Sequence, residues 1–136
     1  MDSSKILPKK ELTRAEEQIM RILWRIRKGY VKDILSEMEE PRPAYNTVST
    51  IVRILEKKKI VGHRVFGKAH EYYPLITQKE YMRKFLKGFV RDYFSSSYAS
   101  LASFFAREEQ LSLSELEEIK ALLENKINEK SKRDDH

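Results

Sequence analysis

Five residues at helical spacing, Asn46, Ser49, Thr50, Arg53 and Lys57, carry side chains suited to one kind of chemistry. Asn, Ser and Thr are mediocre helix formers, and an ordinary solvent-facing helix side is filled with Glu, Lys and Gln instead. Their short donors and acceptors let a helix approach a groove closely, and an adjacent Arg can grip a guanine edge or a phosphate. At about 100° per residue, Val48, Ile51, Val52 and Leu55 fall on the opposite face. The pattern predicts a helix from about Ala44 to Lys58 with one polar and one anchoring side.

Other reactive residue types form no constellation. His63 and His70 fit half a metal site or a pH-sensitive pair. They fit ordinary strand positions equally, because no carboxylate lies at ligand spacing from both and a site needs three or four ligands. Ser95, Ser96 and Ser97 have no partnered base and no glycine-rich elbow. Glu16-Glu17, Glu39-Glu40 and Glu108-Glu109 are consecutive pairs, which do not face each other on a helix; they suit solubility and helix N-termini. Trp24 sits in an apolar stretch and reads as core. The 4 glycines form no phosphate loop, and the absence of Cys excludes disulfides, thiolate catalysis and Cys-based metal sites. These residues predict a protein that is not an enzyme and uses neither cofactor nor metal.

The elements that hold the polar face follow from periodicity and punctuation. A first helix opens at the capping box Thr13-Arg14-Ala15-Glu16, buries Ala15, Ile19, Ile22, Leu23 and Ile26, and ends at Gly29. A short second helix carries Val31, Ile34, Leu35 and Met38 and stops at Pro41-Arg42-Pro43. After the third helix, Arg64-Val65-Phe66 and Ala69-His70-Glu71 flank Gly67-Lys68, a two-residue turn with Gly first. That register sets Arg64 opposite Glu71. Tyr72-Tyr73 extend the second strand and Pro74 closes it. Three helices followed by a hairpin make a winged helix-turn-helix, with the third helix in the major groove and the hairpin as wing.

Beyond Pro74 the pattern is helical only. One helix runs from about Gln78 to Tyr93, Ser95-Ser96-Ser97 breaks it, and a second starts at Tyr98. A last helix opens at the box Ser112-Leu113-Ser114-Glu115. The large apolar residues here, among them Phe85, Phe89, Tyr98, Leu101, Phe105, Leu116, Ile119 and Leu123, exceed what these helices can bury alone. An isologous dimer is the default way to cover them. The predicted organisation is a mostly α chain with a small β-hairpin wing: a winged-helix DNA-binding domain over 1–76, a helical dimerisation domain over 77–130, and a frayed charged tail over 131–136.

Bulk composition agrees. The chain has 136 residues, 40% hydrophobic and 35% charged, so core is scarce and a second copy can supply burial. Residues 1–76 hold 16 Lys and Arg against 10 Asp and Glu, whereas residues 77–136 hold 11 of each. The whole excess of +6 lies in the N-terminal part, an electrostatic footprint for a polyanion. No apolar run approaches a membrane span, and Met1 to Lys10 lacks a signal-peptide core. A soluble cytoplasmic protein with no direct membrane binding is expected.

From Leu12 to Lys126 the chain resembles the penicillinase-repressor (BlaI/MecI) family of winged-helix repressors. The resemblance rests on Leu12-Thr13-Arg14-Ala15-Glu16 leading to Ile22-Leu23-Trp24, on Thr47-Val48-Ser49-Thr50 followed by Leu55-Glu56-Lys57-Lys58, on Tyr72-Tyr73-Pro74-Leu75, and on Leu111-Ser112-Leu113-Ser114-Glu115-Leu116. It implies a homodimer on a palindromic operator of double-stranded DNA, dimerised through the C-terminal helices. It also implies release when a membrane-anchored zinc-peptidase sensor leads to repressor cleavage, with Phe104-Phe105 at the aligned scissile bond; as residues, the same two Phe read as dimer core. Carried over, the DNA-reading positions are Asn46, Thr47, Ser49, Thr50 and Arg53, with Lys57, Arg64 and Lys68 as further DNA contacts. Where the family usually has Lys-Lys-Gly, this chain has Lys57-Lys58-Lys59, so its helix end needs another cap. The copper-responsive relatives need a cysteine site that this chain lacks. Two other readings stand beside this one: a ligand-sensing winged-helix regulator, and a winged-helix protein-interaction module without DNA. The polar third-helix face argues against the module, since protein interfaces favour aromatic and apolar anchors.

Overall fold

A computed structural model describes residues 12–108 and 110–134; the polar start Met1 to Lys10, Glu109 and the final two tail residues lie outside the described residues. In chain order the elements are α1 (Arg14–Ile26), α2 (Val31–Ser36), α3 (Tyr45–Lys57), β1 (Val61–Phe66), β2 (Ala69–Pro74), α4 (Gln78–Phe94), α5 (Tyr98–Glu108) and α6 (Leu113–Asp134). The chain divides into two compact units, one running to Gly88 and one from Phe89.

The first unit is a winged helix. Its α1 starts on the expected capping box: Thr13 Oγ1 accepts from the Glu16 amide at 3.1 Å, and Glu16 Oε1 accepts from the Thr13 amide at 2.9 Å. Ile19, Met20, Ile22 and Leu23 of α1 pack with Val31 and Ile34 of α2, Val48, Val52 and Leu55 of α3, and Val61 and Tyr72 of the strands. Met38 is buried as well, just beyond the end of α2. Ala15, expected in the stripe, is exposed, and Glu16 occupies the buried position beside it.

Gly29 does not cap α1. The helix ends at Ile26, and Arg27 takes the positive φ of 75° with its amide on the Leu23 carbonyl at 2.7 Å. Gly29 answers a different need. Its N–H donates to the Tyr72 carbonyl at 2.9 Å and its carbonyl accepts from the Tyr72 N–H at 2.8 Å. A Cβ there would stand 3.0 Å from Ile26 Cδ1 and 3.1 Å from Asp33 Cβ, so a side chain would require Ile26 and Asp33 to shift by a few tenths of an ångström. The bridge sets one residue of the α1–α2 connection beside the antiparallel β1–β2 ladder.

The hairpin keeps the expected register, Arg64 opposite Glu71, and Gly67 turns it with φ 65°. The end of α3 resolves the Lys57-Lys58-Lys59 departure. Ile60 N–H donates to the Leu55 carbonyl at 3.0 Å and Lys59 N–H to the Glu56 carbonyl at 2.9 Å. These are the two bonds of a Schellman cap, with Lys59 at φ 63° in the place that usually falls to Gly.

The start of α4 belongs to the first unit: Trp24 Nε1 donates to the Ile76 carbonyl at 2.9 Å, and its ring lies 5.7 Å from that of Tyr81. Thr77 and Glu80 cap α4 reciprocally, at 2.8 and 3.0 Å. In the second unit Ser95 and Ser96 take left-handed φ of 49° and 64°, and Ser97 Oγ caps α5 by accepting from the Ser100 amide at 3.0 Å. The serine cluster is therefore a helix break, with a backbone task for each residue. Val90 is fully buried, and the Phe94 and Phe104 rings lie 5.7 Å apart. α6 opens on the expected Ser112–Glu115 box and continues to Asp134, so residues 131–134 are helical where a frayed tail was expected.

Candidate nucleic-acid interface

The polar face of α3 is presented by a rigidly seated helix. Val48, Val52 and Leu55 are 0% exposed, while Asn46, Thr47, Thr50, Arg53 and Lys57 are exposed. Ser49 departs from the expected face: it is buried, at 9% exposure. It lies seven residues before Glu56, hence on the same flank, and that flank faces protein rather than solvent.

α3 meets the hairpin through Glu56, and its charges lie near enough to act on the Tyr72 phenol. Burial of Tyr72, reinforced by the Glu56 charge and opposed by Arg53, holds its phenol above the ordinary value, so the hydroxyl stays protonated. Glu56 meets His63 of β1 through Oε2 and Nδ1. His63 stacks on His70, centroids 4.2 Å apart and planes within 4°. Parallel rings aim their nitrogen lone pairs side by side instead of at one point, and among the described residues no group of three or more His, Cys, Asp or Glu can hold a metal ion.

The three consecutive lysines take separate roles. Lys58 turns inward, with Nζ 2.8 and 2.9 Å from the two Glu16 carboxylate oxygens. Burial alone would raise the Glu16 pKa; the Lys58 ammonium and the Thr13 donors outweigh it and hold the carboxyl below its ordinary value. Lys57 and Lys59 remain exposed beside the α3 terminus. On the hairpin, Arg64 and Lys68 are exposed, with Arg64 5.8 Å over the Tyr73 ring. Tyr45, an exposed aromatic at the first position of α3, lies outside the polar set that periodicity picked out.

Of the residues expected at a dimer interface, Phe85, Tyr98, Leu116 and Leu123 are exposed, and Phe89, Leu101, Phe105 and Ile119 are half-buried. Phe85 belongs to the first unit and the others to the second. Neither α5 nor α6 buries a residue among those described. Leu113, Leu122 and Ile127 add to the apolar exposure of α6. Phe104 is exposed on α5, next to the half-buried Phe105. No helix among the described residues is long and apolar enough to cross a membrane.

Residues 12–125 match the penicillinase repressor family. The methicillin resistance regulatory protein MecI of Mammaliicoccus sciuri is 27% identical over 117 residues, covering 85% of this chain and 95% of that protein. The penicillinase repressor of Bacillus licheniformis is 23% identical over 121 residues, 88% of this chain and 94% of that protein. The penicillinase repressor of Staphylococcus aureus is 26% identical over 121 residues, 88% and 95% respectively. With the match spanning both units, and with a winged helix built from the expected segments, this chain belongs to the penicillinase repressor family of transcriptional regulators.

Proposed function

We propose that the chain represses transcription by binding a palindromic operator as a homodimer. α3 enters the major groove, Asn46, Thr47, Thr50 and Arg53 read base edges, and Lys57, Arg64 and Lys68 hold phosphates. The observation that carries this reading is the exposed face of α3: hydrogen-bonding side chains on a helix whose other side is locked in the core. The excess charge of residues 1–76 supplies the non-specific attraction.

The second unit makes the dimer. α6 spans 22 residues without burying one, and its leucines need a partner surface. A second copy of the same face satisfies them isologously and aligns two reading helices with two half-sites. Repression ends when a cut between Phe104 and Phe105, initiated by a membrane-anchored zinc-peptidase sensor, parts α6 from the rest. Both residues lie within α5, so the cut requires that helix to open locally. Simultaneous engagement of two half-sites, worth about 10²–10⁴ in avidity, is then lost.

An electrophoretic shift with duplexes from the chain's own upstream region tests the DNA role. A retarded band that disappears with excess specific duplex and persists with random duplex is expected. Equal competition by both duplexes would refute sequence-specific binding. Fragment mapping by mass spectrometry during induction tests the cut; an intact chain on derepressed promoters removes proteolysis from the mechanism.

A further inference from the structure

We propose that Phe66, at the tip of the hairpin, inserts into the minor groove beside the bases read by α3 and makes the chain discriminate against guanine there. The proposal rests on the DNA-binding reading and adds a specificity residue to it. Phe66 is 50% exposed at the last position of β1. The register pairs it with Ala69, whose single methyl leaves the ring uncovered. Strand alternation places it with Arg64 on the face opposite to Val61 and Tyr72, the pair that packs into the core.

The tip stands clear of the rest of the first unit, since a Cβ added at Gly67 would meet nothing within 4 Å. Half of this ring stays in water, where a partner could cover it. Charge selects which one. Lys68 follows two residues later in the turn and Arg64 shares the ring's face, two cations against Glu71, the acid of that face. The surroundings favour a polyanion. Shape agrees: a single ring on a two-residue turn is a narrow wedge, suited to a groove about 6 Å wide. A protein interface would instead offer a cluster of anchors on a broad face. Apolar wedges of this kind unstack base steps from the minor-groove side.

The discrimination follows from hydrogen bonding. In the minor groove only G·C pairs carry a donor, the guanine N2 amine. A phenyl ring covers that donor without accepting from it, and a buried unsatisfied donor is costly. A·T pairs avoid the loss.

The test uses duplexes recovered from a random pool by the wild-type chain, each then remade with inosine·C pairs at the positions flanking the bases read by α3. An I·C pair presents the G·C pattern in the major groove and lacks the N2 amine in the minor groove, so α3 cannot tell the two apart. The wild-type chain is expected to bind the I·C duplex about tenfold more tightly than its G·C counterpart. Phe66→Ala is expected to lose that preference, and Phe66→Leu to keep part of it. A wild-type chain indifferent to the exchange, or Phe66→Ala retaining the preference, overturns the insertion and leaves DNA binding intact. Unchanged DNA binding with an altered sedimentation coefficient for Phe66→Ala places the ring in a protein contact and also overturns it. Recovery of no duplex at all removes the DNA-binding reading beneath it.

Discussion

Replacing Lys58 with methionine isolates the ion pair that fastens the start of α1 to the end of α3. In the wild-type chain the Glu16 side chain is 5% exposed and that of Lys58 is 32% exposed. Lys58→Met keeps the aliphatic stem but leaves a buried carboxylate with the Thr13 donors alone. Breaking a fully buried pair costs about 3–5 kcal/mol. Water reaches this ammonium, which lowers the expected loss to about 2–3 kcal/mol. Glu16→Gln is milder, about 1 kcal/mol, because the amide oxygen still accepts from Thr13 and Lys58 can swing into solvent. The double variant is expected to lose less than the sum of the two, the signature of direct coupling.

Acid supplies the decisive control. The folded carboxyl is depressed below its unfolded value, so the stability it contributes is fully present above pH 4.5 and is lost as pH falls through the depressed value. In Lys58→Met burial is opposed by the Thr13 donors alone, and the carboxyl protonates more readily. The difference between wild type and variant is therefore expected to shrink steadily from pH 7 towards pH 4. Urea unfolding followed by Trp24 fluorescence reads it cleanly, because the single Trp is in the first unit and hydrogen-bonded there. A loss below about 0.5 kcal/mol, within the range of an ordinary surface substitution, or a loss of equal size at both pH values would refute the reasoning.

Three further outcomes are expected. Lys59→Gly removes a side chain from left-handed backbone and is expected to stabilise the first unit by about 1 kcal/mol in the same urea experiment; a destabilised variant would contradict the cap assignment. Arg53→Ala is expected to cost about 1–3 kcal/mol of operator binding and relax one base per half-site, whereas Lys57→Ala lowers affinity for all duplexes alike. Binding isotherms on a set of single-base variants separate the two, and identical profiles would remove Arg53 from base readout. Leu123→Glu puts a charge on the exposed face of α6 and is expected to shift the chain towards monomer in sedimentation; an unchanged dimer would move the interface elsewhere.

What could be read from sequence was whatever depends on neighbours in the chain. The boxes at Thr13 and Ser112 and the turn at Gly67 are local devices, and each fixed an element before any packing was known. The apolar run of α3 revealed its exposed face equally well, with Ser49 the exception, because the width of a buried flank is set by the elements that cover it. Glu16 was read correctly as a cap yet not as buried, since its partner lies 42 residues away. Gly29 misled for the same reason. Its position after an apolar stretch mimics a helix terminus, whereas its backbone pairs with Tyr72, far along the chain.

The two main-chain hydrogen bonds between Gly29 and Tyr72 also fix where the hairpin tolerates insertion and deletion. A residue added near the root would move Tyr72 out of line and break the bridge. Residues added in pairs at Gly67-Lys68 would lengthen the ribbon while keeping every inner pairing in phase. Length changes in this hairpin are thereby accommodated best at its apex, where its reach can vary while α3 keeps its seat in the core.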